Sequence, residues 1–205
     1  MANDDYSRGF VPLNLTPLGV HYYRVSSAAD IALGQPVALS GVGYAVAASV
    51  ASLTYVLGVA VGFAGVNKQG LATNDPFLDV SDLTPPVPSS DTGDRWVAVA
   101  DDPHQLFYIQ EDTGGTALAL ADVGGALIAI WGNGVGNPDP DTGWARALEL
   151  DASSIVTTTG GLVQLVQLHD ALNSDGTNNA VGDYAKWVVQ FLTHQRGGTG
   201  NEPIV

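Results

Sequence analysis

The sequence predicts a mainly β protein: two small lobes, barrel- or sandwich-like, with an extended N-terminal arm and at most one or two short helices. Two observations carry this. Short apolar runs at Val20 to Val25, Pro36 to Leu39, Gly43 to Ala47 and Tyr55 to Phe63 are punctuated by Gly34, Gly41, Gly43, Gly58 and Gly62, the length and spacing of strands in a small all-β unit. In Lys186 to Leu192, Trp187, Val189 and Phe191 alternate with Lys186, Val188 and Gln190, the period-two signature of a sheet with one buried face.

The elements follow in chain order. Residues 1–19 mix Gly9, Pro12 and Pro17 with isolated apolar residues, which suits neither a helix nor a central strand. They read as an extended arm that needs a surface to lie on, either its own domain or a neighbouring subunit. Residues 20–80 form a β-rich first lobe, in which Ala45 to Leu53 also suits a short helix, because periodicity does not settle so brief a run. Residues 81–93 hold Pro85, Pro86 and Pro88 and read as a semi-rigid connector or as a long surface loop.

Residues 94–196 form the second lobe, with strands expected at Arg95 to Ala100, Gln105 to Gln110, Ala126 to Trp131, Ala145 to Leu150, Leu162 to His169 and Lys186 to Leu192. Its one candidate helix is Thr116 to Asp122, with Thr116 as N-cap and Gly124 or Gly125 at the C-terminal end. Residues 197–205 are a tail.

The 205 residues carry 7 Lys+Arg against 21 Asp+Glu, a net charge of -14, and no Cys. A chain of this length buries roughly 70% of its unfolded surface, so no covalent staple is required. Without Cys, disulfide scaffolds, thiolate metal clusters and cysteine nucleophiles are excluded. Seven dispersed cations do not build the basic face that a phosphate backbone requires, so no nucleic-acid partner is expected. No run of about 18 apolar residues marks a membrane span, and acid at Asp4 and Asp5 where a secretory signal needs base points to cytosolic assembly. Only 14% of residues are charged while 45% are hydrophobic, against about 25% charged in a typical domain. Part of the surface is therefore expected to be covered by other chains.

No catalytic, metal or cofactor constellation emerges. His21, His104, His169 and His194 are far apart in sequence, and none has a metal-ligand partner two to four residues on. His169-Asp170 resembles a base with an orienting carboxylate, yet no GxSxG turn supplies a nucleophile. Asn137, Asp139, Asp141 and Gly143 resemble the start of a calcium loop. The glycine falls one place late, however, and Leu148 stands where the closing Glu belongs, so a solvated turn is expected. Asp101 and Asp102 read as turn chemistry ahead of Pro103. Trp96, Trp131, Trp144 and Trp187 suit either core anchors or a sugar-binding platform.

Several blocks in the same order carry a resemblance: Arg8-Gly9-Phe10-Val11-Pro12, Leu57-Gly58-Val59-Ala60, Ala100-Asp101-Asp102-Pro103, Phe107 to Glu111, Ala117 to Gly124, Asn179-Ala180-Val181-Gly182, Ala185-Lys186-Trp187 and His194. Together they resemble tailed-bacteriophage capsid cement or decoration proteins. The resemblance implies a non-enzymatic structural protein without cofactors, a homotrimer on the outside of an icosahedral head, assembled in the bacterial cytoplasm and bound to the major capsid protein of the same phage. Arg8, Phe10, Val11, Leu13 and Leu15 in the arm are then the expected capsid contacts, and deleting Met1 to Leu18 is expected to leave a folded trimer that no longer occupies shells. The alternative reading is a β-rich glycan- or receptor-binding module, with a hydrolase built on His169 third.

Overall fold

The computed structural model describes residues 3, 7–25, 31–50, 55–64, 96–131, 145, 148–155, 161–170, 172–173 and 176–196. The chain is mainly β, as the sequence predicts, and sandwich-like, with no closed barrel among the described residues. Among the described residues twelve strands run in order: β1 (Val11–Pro12), β2 (Val20–Arg24), β3 (Pro36–Leu39), β4 (Ala45–Ala47), β5 (Gly58–Ala64), β6 (Trp96–Ala100), β7 (Phe107–Gln110), β8 (Ala126–Leu127), β9 (Ala129–Trp131), β10 (Leu148–Leu150), β11 (Val163–Leu168) and β12 (Lys186–Phe191).

One antiparallel sheet has the order β2-β6-β5-β3-β4 and a second the order β1-β7-β12-β11-β8, with β9 and β10 as a separate pair. The first sheet curls on itself until Val25, just past β2, meets Ala45 of β4 in a single bridge. Its concave side holds a small apolar cluster of Val25, Ile31, Val37, Ala45, Leu57, Ala60, Val97 and Val99. Its convex side gives Val59 and Ala100 to the main core, which the second sheet fills with Phe107, Ile109, Leu165, Trp187, Val189 and Phe191. The two halves thus share one core.

Three expectations are corrected. Strand β6 pairs with β2 and β5, so residues 96–100 belong to the first sheet and not to a second lobe beginning at 94. The reason lies in WVAVA, where Val97, Ala98, Val99 and Ala100 are all buried, as befits a central strand covered on both faces. The proline-rich residues 81–93 and the tail 197–205 lie outside the described residues. The stretch Ala45–Ala47 is strand, as the run Gly43 to Ala47 suggests, and the helical alternative does not form there.

Thr116 to Asp122 is not a helix beyond a 3-10 turn at Leu120–Asp122. Its amides are engaged elsewhere: Leu118 N donates to Glu111 Oε2 (3.2 Å) and Ala119 N to Asp122 Oδ2 (2.8 Å). Finally, Ala126 to Trp131 is two strands facing different partners, β8 on β11 and β9 on β10.

The arm lies on its own fold. Asn3 is buried and its amide nitrogen donates to Ala180 O (2.8 Å) and Asp183 O (3.0 Å). Ser7 Oγ donates to Leu148 O (2.6 Å), Phe10 N to Gly34 O (2.9 Å) and Leu13 N to Leu106 O (2.9 Å), and β1 extends the second sheet along β7. The arm thereby fastens both sheets together.

Candidate functional site

Two features stand out from this frame: a charged clasp around Asp101 and two exposed leucines, Leu15 and Leu18, at the end of the arm. On β2, alternation puts His21 and Tyr23 on the same side as Val25, and on β6 it puts Asp101, the next residue after the strand, on the side of Val97 and Val99. The clasp therefore sits at one rim of the small concave cluster. The Asp101 side chain is fully buried. Its Oδ1 meets His21 Nδ1 at 2.7 Å, and its Oδ2 accepts from both Tyr23 OH and Arg196 Nη1. Arg196 Nη1 also donates to Tyr23 OH (3.3 Å).

This geometry sets the charge states. Burial pushes the Asp101 carboxyl up, but the hydrogen bonds from Tyr23, His21 and Arg196 outweigh it and hold the group below the ordinary carboxylate range. Burial, then the Asp101 hydrogen bond, push the Tyr23 phenol up to about 12. A carboxylate with both oxygens engaged is a poor base, and so high a phenol is no nucleophile at neutral pH. The clasp holds the chain segment after β12 against β2. Nearby, His194 Nδ1 accepts from Arg196 N (3.0 Å), Gln195 N donates to Val56 O (2.9 Å), and Leu39 N donates to Gln195 Oε1 (2.6 Å).

Removing the clasp charge has a definite pH signature. A depressed aspartate stabilises the fold fully above its unfolded value, and that stability is lost as pH falls through the folded value. Asp101→Asn is expected to lower stability at neutral pH by about 1–3 kcal/mol, the lower range applying because Arg196 and His21 are half exposed and regain water. It is also expected to remove part of the acid destabilisation below about pH 4. Urea unfolding at neutral and acid pH checks both; an unchanged acid limb in the variant would show that Asp101 does not carry it.

The residues singled out in the sequence fall as follows. His104 N donates to Asp102 Oδ1 (2.8 Å), so Asp102-Pro103 is the turn expected, whereas the buried role of Asp101 was missed. His169 stacks on the Tyr108 ring at 4.7 Å, and among the described residues no group of three or more His, Asp or Glu is arranged to hold a metal. Trp187 is fully buried with its indole N–H on Glu111 Oε2 (2.9 Å), and Arg24 lies over the Trp96 ring at 5.7 Å. The Asn137 to Gly143 loop and Trp144 lie outside the described residues.

Of the arm residues, Phe10 is 0% exposed within the protein's own core, which corrects its assignment as a capsid contact. Val11 and Leu13 are half-buried, and Arg8 is exposed. Beyond them the arm turns outward. Asn14 adopts φ 51°, a left-handed conformation that asparagine tolerates well, and Leu15 and Leu18 are 39% and 90% exposed. Tyr22, on the outer side of edge strand β2, is also exposed. Leu18, the most exposed large apolar side chain described, was absent from the sequence-derived contact set; its place ahead of a β run gave no sign that it would be left uncovered.

No helix among the described residues is long and apolar enough to cross a membrane. Comparison with protein-family models, with curated proteins and with solved structures gives no match.

Proposed function

We propose that this chain is a structural virion protein: a capsid cement or decoration subunit that binds the outside of an icosahedral phage head as a homotrimer and stabilises contacts between major capsid subunits. It works by adhesion and transforms no molecule. The observation that carries the reading is the exposure of Leu15 and Leu18 on an arm whose preceding residues are bonded to both sheets. A contact loop anchored in this way loses little conformational freedom on docking. The sequence resemblance of Arg8 to Pro12 and of the blocks between Ala100 and His194 supports the same reading, as does a chain with only 14% charged residues.

The mechanism is mass action. Whatever binds the assembled shell and not its free parts stabilises the shell, and contacts made by linked copies multiply through avidity. The net charge of -14 suits a solvent-facing position away from packaged DNA. Assembly in the bacterial cytoplasm follows from this reading.

Replacing Leu15 and Leu18 together by aspartate is expected to leave the unfolding midpoint within about 0.5 kcal/mol of the parent, since the changes are at the surface. Burying each leucine against a partner contributes about 1.5–3 kcal/mol, so shell binding is expected to weaken by at least about a hundredfold. Sedimentation of the protein with purified heads measures this. Undiminished co-sedimentation of the double variant would remove Leu15 and Leu18 from the contact.

A further inference from the structure

Glu111 follows β7 and enters the main core. Its backbone N donates to Ala185 O (2.9 Å), and a single bridge joins it to Leu150 of β10. The residue is 0% exposed. One carboxyl oxygen, Oε2, accepts from Trp187 Nε1 (2.9 Å) and Leu118 N (3.2 Å), while the other, Oε1, is buried with no hydrogen-bond partner.

Among the described residues, the charged groups bearing on it are acidic. Asp112 is its chain neighbour, buried and accepting from Ala152 N (3.1 Å), and Asp183 lies in the turn ahead of β12. The remaining ionisable groups of the packed elements point elsewhere. Lys186 and Glu149 neighbour the buried Trp187 and Leu150 along their strands and so face the opposite side, and Asp122 accepts from Ala119 N. Leu118, whose amide donates to the carboxyl, is buried in a segment otherwise open to water: residues 113–116, Ala119 and Leu120 are exposed and Ala117 is half-buried.

We propose that Glu111 is a proton-controlled lock: as a neutral carboxylic acid it holds the Leu118 loop closed over β12, and its ionisation opens that loop to water. In the acid form Oε2 accepts both N–H groups and Oε1 carries the proton, leaving one neutral hydroxyl without a partner. In the carboxylate form the same buried oxygen shares a full charge that no cation among the described residues neutralises, which costs far more than an unpaired hydroxyl. Lifting Leu118 lets water reach Oε1 and relieves that cost. The carboxyl's behaviour agrees: burial pushes it up to about 7, with Asp112 and Asp183 adding to the rise and the Trp187 and Leu118 bonds opposing it.

The sign follows from proton linkage. A glutamate raised in the folded state loses its proton first in the unfolded chain, so stability declines as pH rises from about 4.5 to about 7 and stays reduced above that. His169 and His194, both lowered by burial, act the opposite way, losing stability as pH falls below their ordinary value. The glutamate's effect is therefore read as the difference between the parent and Glu111→Gln, which keeps the shape and cannot ionise.

Urea unfolding is measured on the full chain for both proteins between about pH 5 and about pH 8, with amide exchange at Leu118. The folding constant of the parent is expected to fall relative to that of the variant by on the order of a hundredfold across this range. Leu118 exchange in the parent is expected to accelerate at high pH beyond its rise in the variant. Parallel curves for the two proteins would overturn the proposal. Should the variant not fold, carbon-13 titration of the Glu111 carboxyl in the parent decides: a midpoint near neutrality supports the lock, and one in the ordinary glutamate range contradicts it.

Discussion

Phe10→Ala is expected to destabilise the protein by about 3–5 kcal/mol, the range for removing a large buried aromatic side chain. Phe10 is fully buried and packs at 5.0 Å from the Phe191 ring and 6.3 Å, edge-on, from Phe107, which themselves lie 5.3 Å apart. This triad joins the arm to β7 and β12 at the centre of the main core, where little is free to collapse into the space left behind. Equilibrium unfolding in urea measures the loss, and a change below about 1 kcal/mol would mean that the arm does not belong to the core. Deletion of Met1 to Leu18 removes Phe10, β1 and the bonds of Asn3 and Ser7 together. It is therefore expected to abolish the fold, reversing the expectation of a folded truncated trimer.

The second large effect is expected at Gly34. It has φ 81°, a left-handed conformation costing a side chain about 1–2 kcal/mol. A Cβ there would also run into the carbonyl of Arg8, with the Phe10 carbonyl close behind at 3.4 Å. Both obstacles are backbone of the arm, so neither yields by a rotamer change. Gly34 O accepts the Phe10 amide (2.9 Å), so relieving the clash pulls Phe10 from its site. Overpacking adds about 1–3 kcal/mol, and Gly34→Ala is expected to destabilise by about 2–5 kcal/mol in thermal or urea unfolding. Near-parental stability would show that the arm passes Gly34 less closely than described.

Much of this fold is written in local pattern. The alternation of Trp187, Val189 and Phe191 places β12 correctly, and the short apolar run Val20 to Val25 gives β2 through its length and its bounding turn residues. Where both faces are covered the pattern fades. Val188 is as buried as its neighbours, and β6 reads as an uninterrupted apolar run whose sheet is chosen by partners distant in sequence.

The Asp101 clasp was illegible for the same reason: its members come from β2, the end of β6 and the end of β12, 80 and 95 residues apart in the pairs His21–Asp101 and Asp101–Arg196. The Asp-Asp-Pro sequence suggested only a turn, which Asp102 does make. Phe10 and Leu15 look alike in sequence, as isolated apolar residues among turn formers. Only the approach of Gly34 and the paired β1 decide that one is core and the other surface.

The most direct test of the adhesive role is cryo-electron microscopy of intact particles that contain this protein. Three-fold density is expected on the outer face of the capsid, fitting the two-sheet fold, with Leu15 and Leu18 against a major capsid subunit. Particles purified to homogeneity without the protein, or density inside the shell with Leu15 and Leu18 facing solvent, would contradict it.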